Sequence, residues 1–195
     1  LGSGRANLAW LVLDRPAEAH AQLALAERAL GGGFHLPHAS VITAATHLDL
    51  YGGDAARAAR RLDEAWPAFE RLGLLRLQQP RIELAMLRAR TLLAAPRGDA
   101  PLRTAEEIAD ALVREGVPWA TGLGHLVRAS AAAWAGEDTR ALAALVAAEA
   151  ELVACEMLGF VHIARLYAGL LEGGAGGAAR AAEAREGLIE KGAFS

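Results

Sequence analysis

Small and large apolar residues recur along this chain at intervals of four and three. After Asp54 they fall at Ala58, Leu62 and Ala65. On a helix that spacing puts small, large and small side chains on one face, which suits close contact with a neighbouring helix. The same triplet follows Asp14 as Ala19, Leu23 and Ala26, and follows Gly136 as Ala141, Leu145 and Ala148. A looser version, Ala105, Ala109 and Leu112, follows Gly98 and Asp99. First alanine to first alanine (19, 58, 105, 141), the intervals are 39, 47 and 36 residues. The unit is therefore a repeat.

Apolar segments between the triplets predict partner helices over about 4–14, 36–51, 75–95, 118–135 and 157–172. Each ends in a turn bearing Gly or Asp. Pro37 and Pro118 sit where a first helical turn is expected, the position that tolerates a missing N–H. Pro67 falls inside the helix begun at Asp54 and predicts a kink or break near Trp66. Pro80 predicts a split between an early turn and the helix after it. A last helix is expected over about 177–190, behind a Gly-rich turn EGGAGG at 172–177. The sum is about ten helices in five antiparallel hairpins. Alternating helices with a period near 40 residues describe an all-α, tetratricopeptide-like right-handed α-solenoid, each hairpin burying its apolar face against its neighbours.

Composition supports helices. The 195-residue chain is 53% hydrophobic but only 5% aromatic, so Ala and Leu supply most of the apolar surface. β-branched residues are scarce and run together only at Val41-Ile42-Thr43, which argues against a sheet. One domain spanning 1–195 is expected, and the start Leu-Gly-Ser-Gly without Met reads as a piece of a larger multidomain protein. The net charge of −3 and the lack of a basic patch interleaved with aromatics argue against nucleic acid. No apolar run is long enough to span a bilayer, no signal peptide is visible, and the single Cys155 permits no disulfide within the chain. A cytoplasmic location is expected.

The Gly-Asp turn followed by Ala, a large apolar residue and Ala is similar to the second helix of a tetratricopeptide repeat, although the period exceeds the usual 34 residues. Two stretches carry a closer resemblance: LDLYGGDAARAARRLDEAWPAFERLGLLRLQQPRIELAMLRARTLLAA (48–95) and LVREGVPWATGLGHLVRASAAAWAGE (112–137). They resemble the C-terminal helical-repeat region of large bacterial proteins in which a serine/threonine kinase domain and a STAND-type AAA ATPase come first. The resemblance covers roughly residues 35–170, and the last twenty-odd residues depart from it. It implies a sensor or partner-binding tail, with kinase and ATPase chemistry elsewhere.

Catalytic patterns are weak. His35 and His38 flank Pro37, which marks a helix start, so they read as capping or loop histidines rather than a metal pair. His47 and Asp49 lie near a turn without a third ligand on their face. His125 and His162 stand singly in apolar helices. Cys155, in an apolar setting beside Glu156, reads as an inert core thiol. The glycine clusters at 31–33 and 173–177 lack the Lys-Ser/Thr of a phosphate loop. Neighbouring carboxylates, Asp63/Glu64 and Glu106/Glu107, read as solvated faces. No enzyme, metal or cofactor is expected.

One helix stands out, RIELAMLRARTLLAA over 81–95. Arg81 and Arg88 are seven apart, as are Glu83 and Arg90, so two polar stripes run along an apolar helix. As the first helix of its hairpin it would line a concave face in a tetratricopeptide-like solenoid. Arg81, Glu83, Arg88 and Arg90, with Trp119 on the next first-type helix, are the candidate partner-binding residues. The alternative is pairing of these arginines with carboxylates of adjacent hairpins. Trp134 reads as core. The expected function is a non-catalytic protein-protein interaction or regulatory domain of a bacterial signalling protein, binding a partner segment or an adjoining kinase or ATPase domain. A small-molecule effector sensor is the alternative.

Overall fold

The computed structural model describes residues 5–95 and 98–190. Ten α-helices and one 3₁₀ turn account for most of them, and no strand occurs among the described residues. By backbone contacts the chain falls into two compact units, divided after Ala95.

The first unit holds α1 (Arg5–Val12), α2 (Pro16–Ala29), α3 (Leu36–Tyr51), α4 (Ala55–Arg71), a 3₁₀ turn (Leu74–Arg76) and α5 (Gln78–Ala94). Each helix packs on the next, and α3 also touches α1 and α5. Its apolar interior has two clusters. Ala19, Leu23, Val41, Ala44, Ala45 and Leu48 join α2 to α3. Ala39, Leu62, Ala65, Phe69, Leu74, Leu84 and Leu87 join α3, α4 and α5. The second unit holds α6 (Asp99–Arg114), α7 (Pro118–Trp134), α8 (Asp138–Ala154), α9 (Leu158–Glu172) and α10 (Gly174–Glu190), packed in chain order.

The triplets are the contact faces. Of their twelve residues only Ala26 is not fully buried, and Ala58, Leu62, Ala105, Ala109, Ala141 and Ala148 have no exposure at all. Small residues flank each large one, so the facing helix can approach while the central side chain fills the space between.

The turns repeat as well. At Gly53 the N–H donates to the Leu50 carbonyl (3.1 Å), and the Asp54 N–H donates to Asp49 (2.9 Å). This is the Schellman pattern, which needs a left-handed residue after the helix; Gly53 has φ 78°. The Asp54 side chain then accepts from the Arg57 N–H (3.0 Å) and caps α4. The same pair of bonds recurs at Gly136, with Asp14 in the left-handed position after α1 and Glu156 after α8. Neither Asp14 nor Glu156 is glycine, so the motif is imposed there by the packing of adjacent helices against the ordinary preference of the residue.

Three expectations change. Pro67 neither ends nor divides α4, which runs unbroken from Ala55 to Arg71. Pro67 and Asp63, whose carbonyl loses its i+4 donor, are both exposed, so water can serve that oxygen and the ring lies away from the core. Pro80 lies in the first turn of α5, where its N–H would be unused; the break falls earlier, at Leu77, after the 3₁₀ turn. The glycines at 174–177 are not a turn but the start of α10. Gly177 lies against Gly169 of α9: a Cβ on Gly169 would stand 2.5 Å from the Gly177 carbonyl oxygen. Glycine is needed there for close approach rather than for bending.

Candidate functional site

The α5 helix presents its polar residues in two directions. Leu84 and Leu87, in the cluster shared with α4, fix its rotation. Arg81 is half-buried and donates from Nη1 to the Leu75 carbonyl (3.1 Å), tying α5 to the turn before it. Arg88 turns toward α4. Its Nη2 lies 3.4 Å from Asp63 Oδ1, and its guanidinium stacks 4.6 Å from the centre of the Trp66 ring. Trp66 in turn meets Phe69 edge-on, which anchors the stack in the core. The planar guanidinium suits both contacts.

Glu83 and Arg90 lie on the other stripe, and both are exposed. Gln79 Nε2 donates to Glu83 Oε1 (3.2 Å). Arg90 Nη1 lies 3.2 Å from Nδ1 of His47, which comes from α3. A guanidinium can only donate, so Nδ1 accepts and the neutral imidazole carries its proton on Nε2. Burial first, and then the Arg90 charge, push the His47 pKa down to about 4. The α3 and α5 helices are thus linked by a neutral histidine and an arginine. Trp119 is the second residue of α7, half-buried in the second unit, and Trp134 at the end of α7 is also half-buried.

Arg88 belongs to a pattern. Arg128 of α7 pairs with Asp110 of α6 (2.6 Å), and Arg165 of α9 pairs with Glu149 of α8 (2.7 Å). In all three cases an arginine of a first-type helix reaches a carboxylate of the helix before it. Each carboxylate follows a buried triplet residue directly: Leu62, Ala109 or Ala148. What sets Arg88 apart is its stack on Trp66. Exposed pairs of this kind contribute about 0–1 kcal/mol each, so their main effect is to set register.

One largely buried charge cluster was hidden in the sequence. Asp49, with a side chain 8% exposed at the end of α3, receives Arg57 (3.2 Å) and Arg61 (2.8 Å) from α4. A carboxylate in the last turn of an apolar helix, followed at once by an arginine-rich helix, was the available signal. This cluster holds one hairpin together.

Other candidate residues sit in local settings. The His35 N–H donates to His38 Nδ1 (3.2 Å), and His35 Nε2 lies 3.2 Å from the Gly32 carbonyl, so both act at the α3 start as the Pro37 spacing suggested. Cys155 is half-buried at the end of α8 rather than in the core, and its thiol donates to the Glu151 carbonyl (3.3 Å). The His162 ring packs on Gly187, with Nδ1 buried and unpartnered. Among the described residues, no three His, Cys, Asp or Glu side chains are grouped so as to hold a metal ion, and no helix is long and apolar enough to cross a membrane. Comparison with known proteins adds no relative: no family model, curated protein or solved structure matches the chain.

His47 makes a prediction for acid stability. Its proton affinity is lower in the folded chain than in the unfolded one, where 6.5 is the ordinary value. Above that pH the residue is neutral in both states and contributes nothing to the pH dependence. Between 6.5 and about 4 the unfolded state takes up the proton more readily, so stability should fall on acidification, by up to about 1.4 kcal/mol per pH unit. Denaturant melts at pH 7 and pH 5 should show this loss in the parent and a smaller one in His47→Gln.

Proposed function

We propose that this chain is a non-catalytic interaction module of a bacterial signalling protein. In this reading the hairpins form one right-handed, tetratricopeptide-like solenoid of about five units over 1–195. A partner segment, or an adjoining kinase or ATPase domain, docks along the first-type helices, in the cytoplasm. On α5, Arg81 and Arg88 on one stripe and Glu83 and Arg90 on the other offer separate contacts, each arginine able to take a carboxylate of the partner, and in the second unit Trp119 of α7 offers an aromatic surface of its own.

The observation that supports this most is the link between Arg90 and His47. His47 is neutral and comes from the adjacent first-type helix, so it holds the exposed Arg90 guanidinium in place without itself adding negative charge. A fixed fork of donors is what bidentate recognition of a carboxylate requires. Arg88 adds a second guanidinium, held flat against Trp66 of α4.

A random peptide library displayed with free C-termini and selected on the parent chain tests this reading. Selected peptides should be rich in Asp, Glu or an essential free carboxylate. Arg88→Ala and Arg90→Ala should each weaken their binding by about 1.5–3 kcal/mol, the range for a charged hydrogen bond. Arg88→Ala should cost about 1 kcal/mol of stability or less, because Asp63 is left solvated. Unchanged peptide binding with a large loss of stability would assign Arg88 to the register role alone.

A further inference from the structure

The outer side of α8 is a continuous apolar face. Thr139, Ala143, Val146, Ala150 and Val153 follow one another at intervals of four, three, four and three, which keeps them on one side of the helix. All five are exposed, Val146 by 62% and Val153 by 48%. They lie opposite Ala141, Leu145, Ala148 and Leu152, the buried side of the same helix. Ala147 and Ala154 complete the outward arc, so no charged residue falls on it. The other triplet-bearing helices are built differently. Two, five and nine residues after the first alanine of the triplet, α4 has Arg60, Asp63 and Pro67, α6 has Glu107, Asp110 and Arg114, and α2 ends the series on Arg28. At those places α8 has Ala143, Val146 and Ala150. Of the four helices, it alone lacks a charged outer face.

The surroundings of that face are acidic, near and far. Over 137–156 five Asp and Glu stand against Arg140 alone, and Arg140 is held by Glu106 (2.6 Å) and Glu137 (2.8 Å). Glu149 takes Arg165 of α9 (2.7 Å), whereas Asp138, Glu151 and Glu156 form no ion pair among the described residues. Arg103 and Arg114 of α6 bring no excess of cations, since that helix also carries Asp99, Glu106, Glu107 and Asp110. Residues 98–190 hold fourteen acidic residues and seven arginines, a balance of −7, while residues 1–95 hold nine and eleven, a balance of +2. An exposed apolar stripe with acidic borders matches a partner that supplies apolar side chains flanked by cations. A second copy would set one acidic surface against another, and an anionic lipid surface would be repelled in the same way. The matching element is a helix. The backbone groups of α8 are used within it, so no strand can add to it, and side chains spaced by four and three form ridges against which a second helix packs.

We propose that the outer face of α8 docks an amphipathic helix of a partner protein, one whose apolar stripe is bordered by Lys or Arg. Large side chains such as leucine pack over Ala143 and Ala150, between Val146 and Val153. The partner's cations meet Asp138 at one edge of the face and Glu151 at the other. This surface belongs to the second unit and is independent of the Arg88 and Arg90 contacts.

A synthetic helix of about 21 residues, long enough to fold in solution, is the probe. It carries leucine at the first and fourth positions of each heptad, lysine beside them and alanine or glutamine elsewhere. Calorimetry and ¹⁵N chemical shifts on the whole chain should show saturable binding that perturbs the amides of residues 138–155. Binding should weaken about tenfold or more in the Val146→Gln/Val153→Gln variant, and similarly when glutamate replaces lysine in the peptide. It should also weaken as sodium chloride rises from about 50 to 500 mM, and it should be unchanged in Arg88→Ala. Both valines are exposed, so the melting temperature of the variant should match the parent and report an intact fold. Absence of saturable binding would overturn the proposal. So would equal binding by the Val146→Gln/Val153→Gln variant, which would mark a general attraction to the acidic unit, or equal binding of the glutamate peptide. Self-association of the chain, or binding of phosphatidylserine vesicles, that is lost in the same variant would give the face to another occupant and overturn it as well.

Discussion

Leu62→Ala should destabilise the chain by about 2–5 kcal/mol, the range for truncating a core leucine. Leu62 has no exposure and sits at the centre of the cluster formed by α3, α4 and α5. Its neighbours along the helix face, Ala58 and Ala65, are too small to close the void. The opposing residues Leu84 and Leu87 are held by their own helix, so collapse into the space would be partial and the cost should fall in the upper half of the range. Val146→Ala is the control: Val146 is 62% exposed on α8 and should change stability by about 0.5 kcal/mol or less. Urea melts of the two variants check both. A Leu62→Ala chain as stable as the parent would show that the triplets do not form the contact faces.

Gly169→Val should be comparably damaging, by about 3 kcal/mol or more, and for the opposite reason. The first added carbon would stand 2.5 Å from the Gly177 carbonyl oxygen and 2.7 Å from the Ala181 nitrogen. Both are backbone atoms of α10, so no rotamer change relieves the clash and the helix itself must move. Overpacking typically costs about 1–3 kcal/mol, and more where the backbone is the obstacle. Hydrogen exchange should show α10 losing protection first. Gly159→Ala separates this from a general effect of replacing glycine in α9. Nothing lies within 4 Å of a Cβ at Gly159, so alanine there should be neutral or stabilising by up to about 1 kcal/mol.

Much of the fold was legible because its signals are local. The expected helix over 36–51 coincides with α3, and those over 118–135 and 157–172 differ from α7 and α9 by one residue at one end. Pro37 and Pro118 mark starts by their missing N–H, and the triplets mark buried faces by their spacing. The failures came from residues whose role depends on what faces them. Pro67 carries the same local signal whether its ring meets a core or water. The glycines at 174–177 look like a turn until α9 is placed beside them.

The site was less legible for the same reason. Seven-residue spacing puts Arg81 with Arg88, and Glu83 with Arg90, on common stripes. It does not state what each stripe meets. Arg88 reaches back to Asp63 and Trp66 of α4, while Arg90 reaches further back, to His47 of α3, a residue 43 positions away. Asp49 likewise gains its meaning only when α4 folds back and brings Arg57 and Arg61 onto it.

The most direct test of the interaction-module reading is a crystal structure of the chain with a peptide selected from the free-C-terminus library. The peptide is predicted to lie along the exposed faces of α3 and α5, with a carboxylate in contact with the guanidinium of Arg88 or Arg90. A peptide seated elsewhere with both guanidinium groups in their unbound contacts, Arg88 on Asp63 and Arg90 on His47, would contradict it.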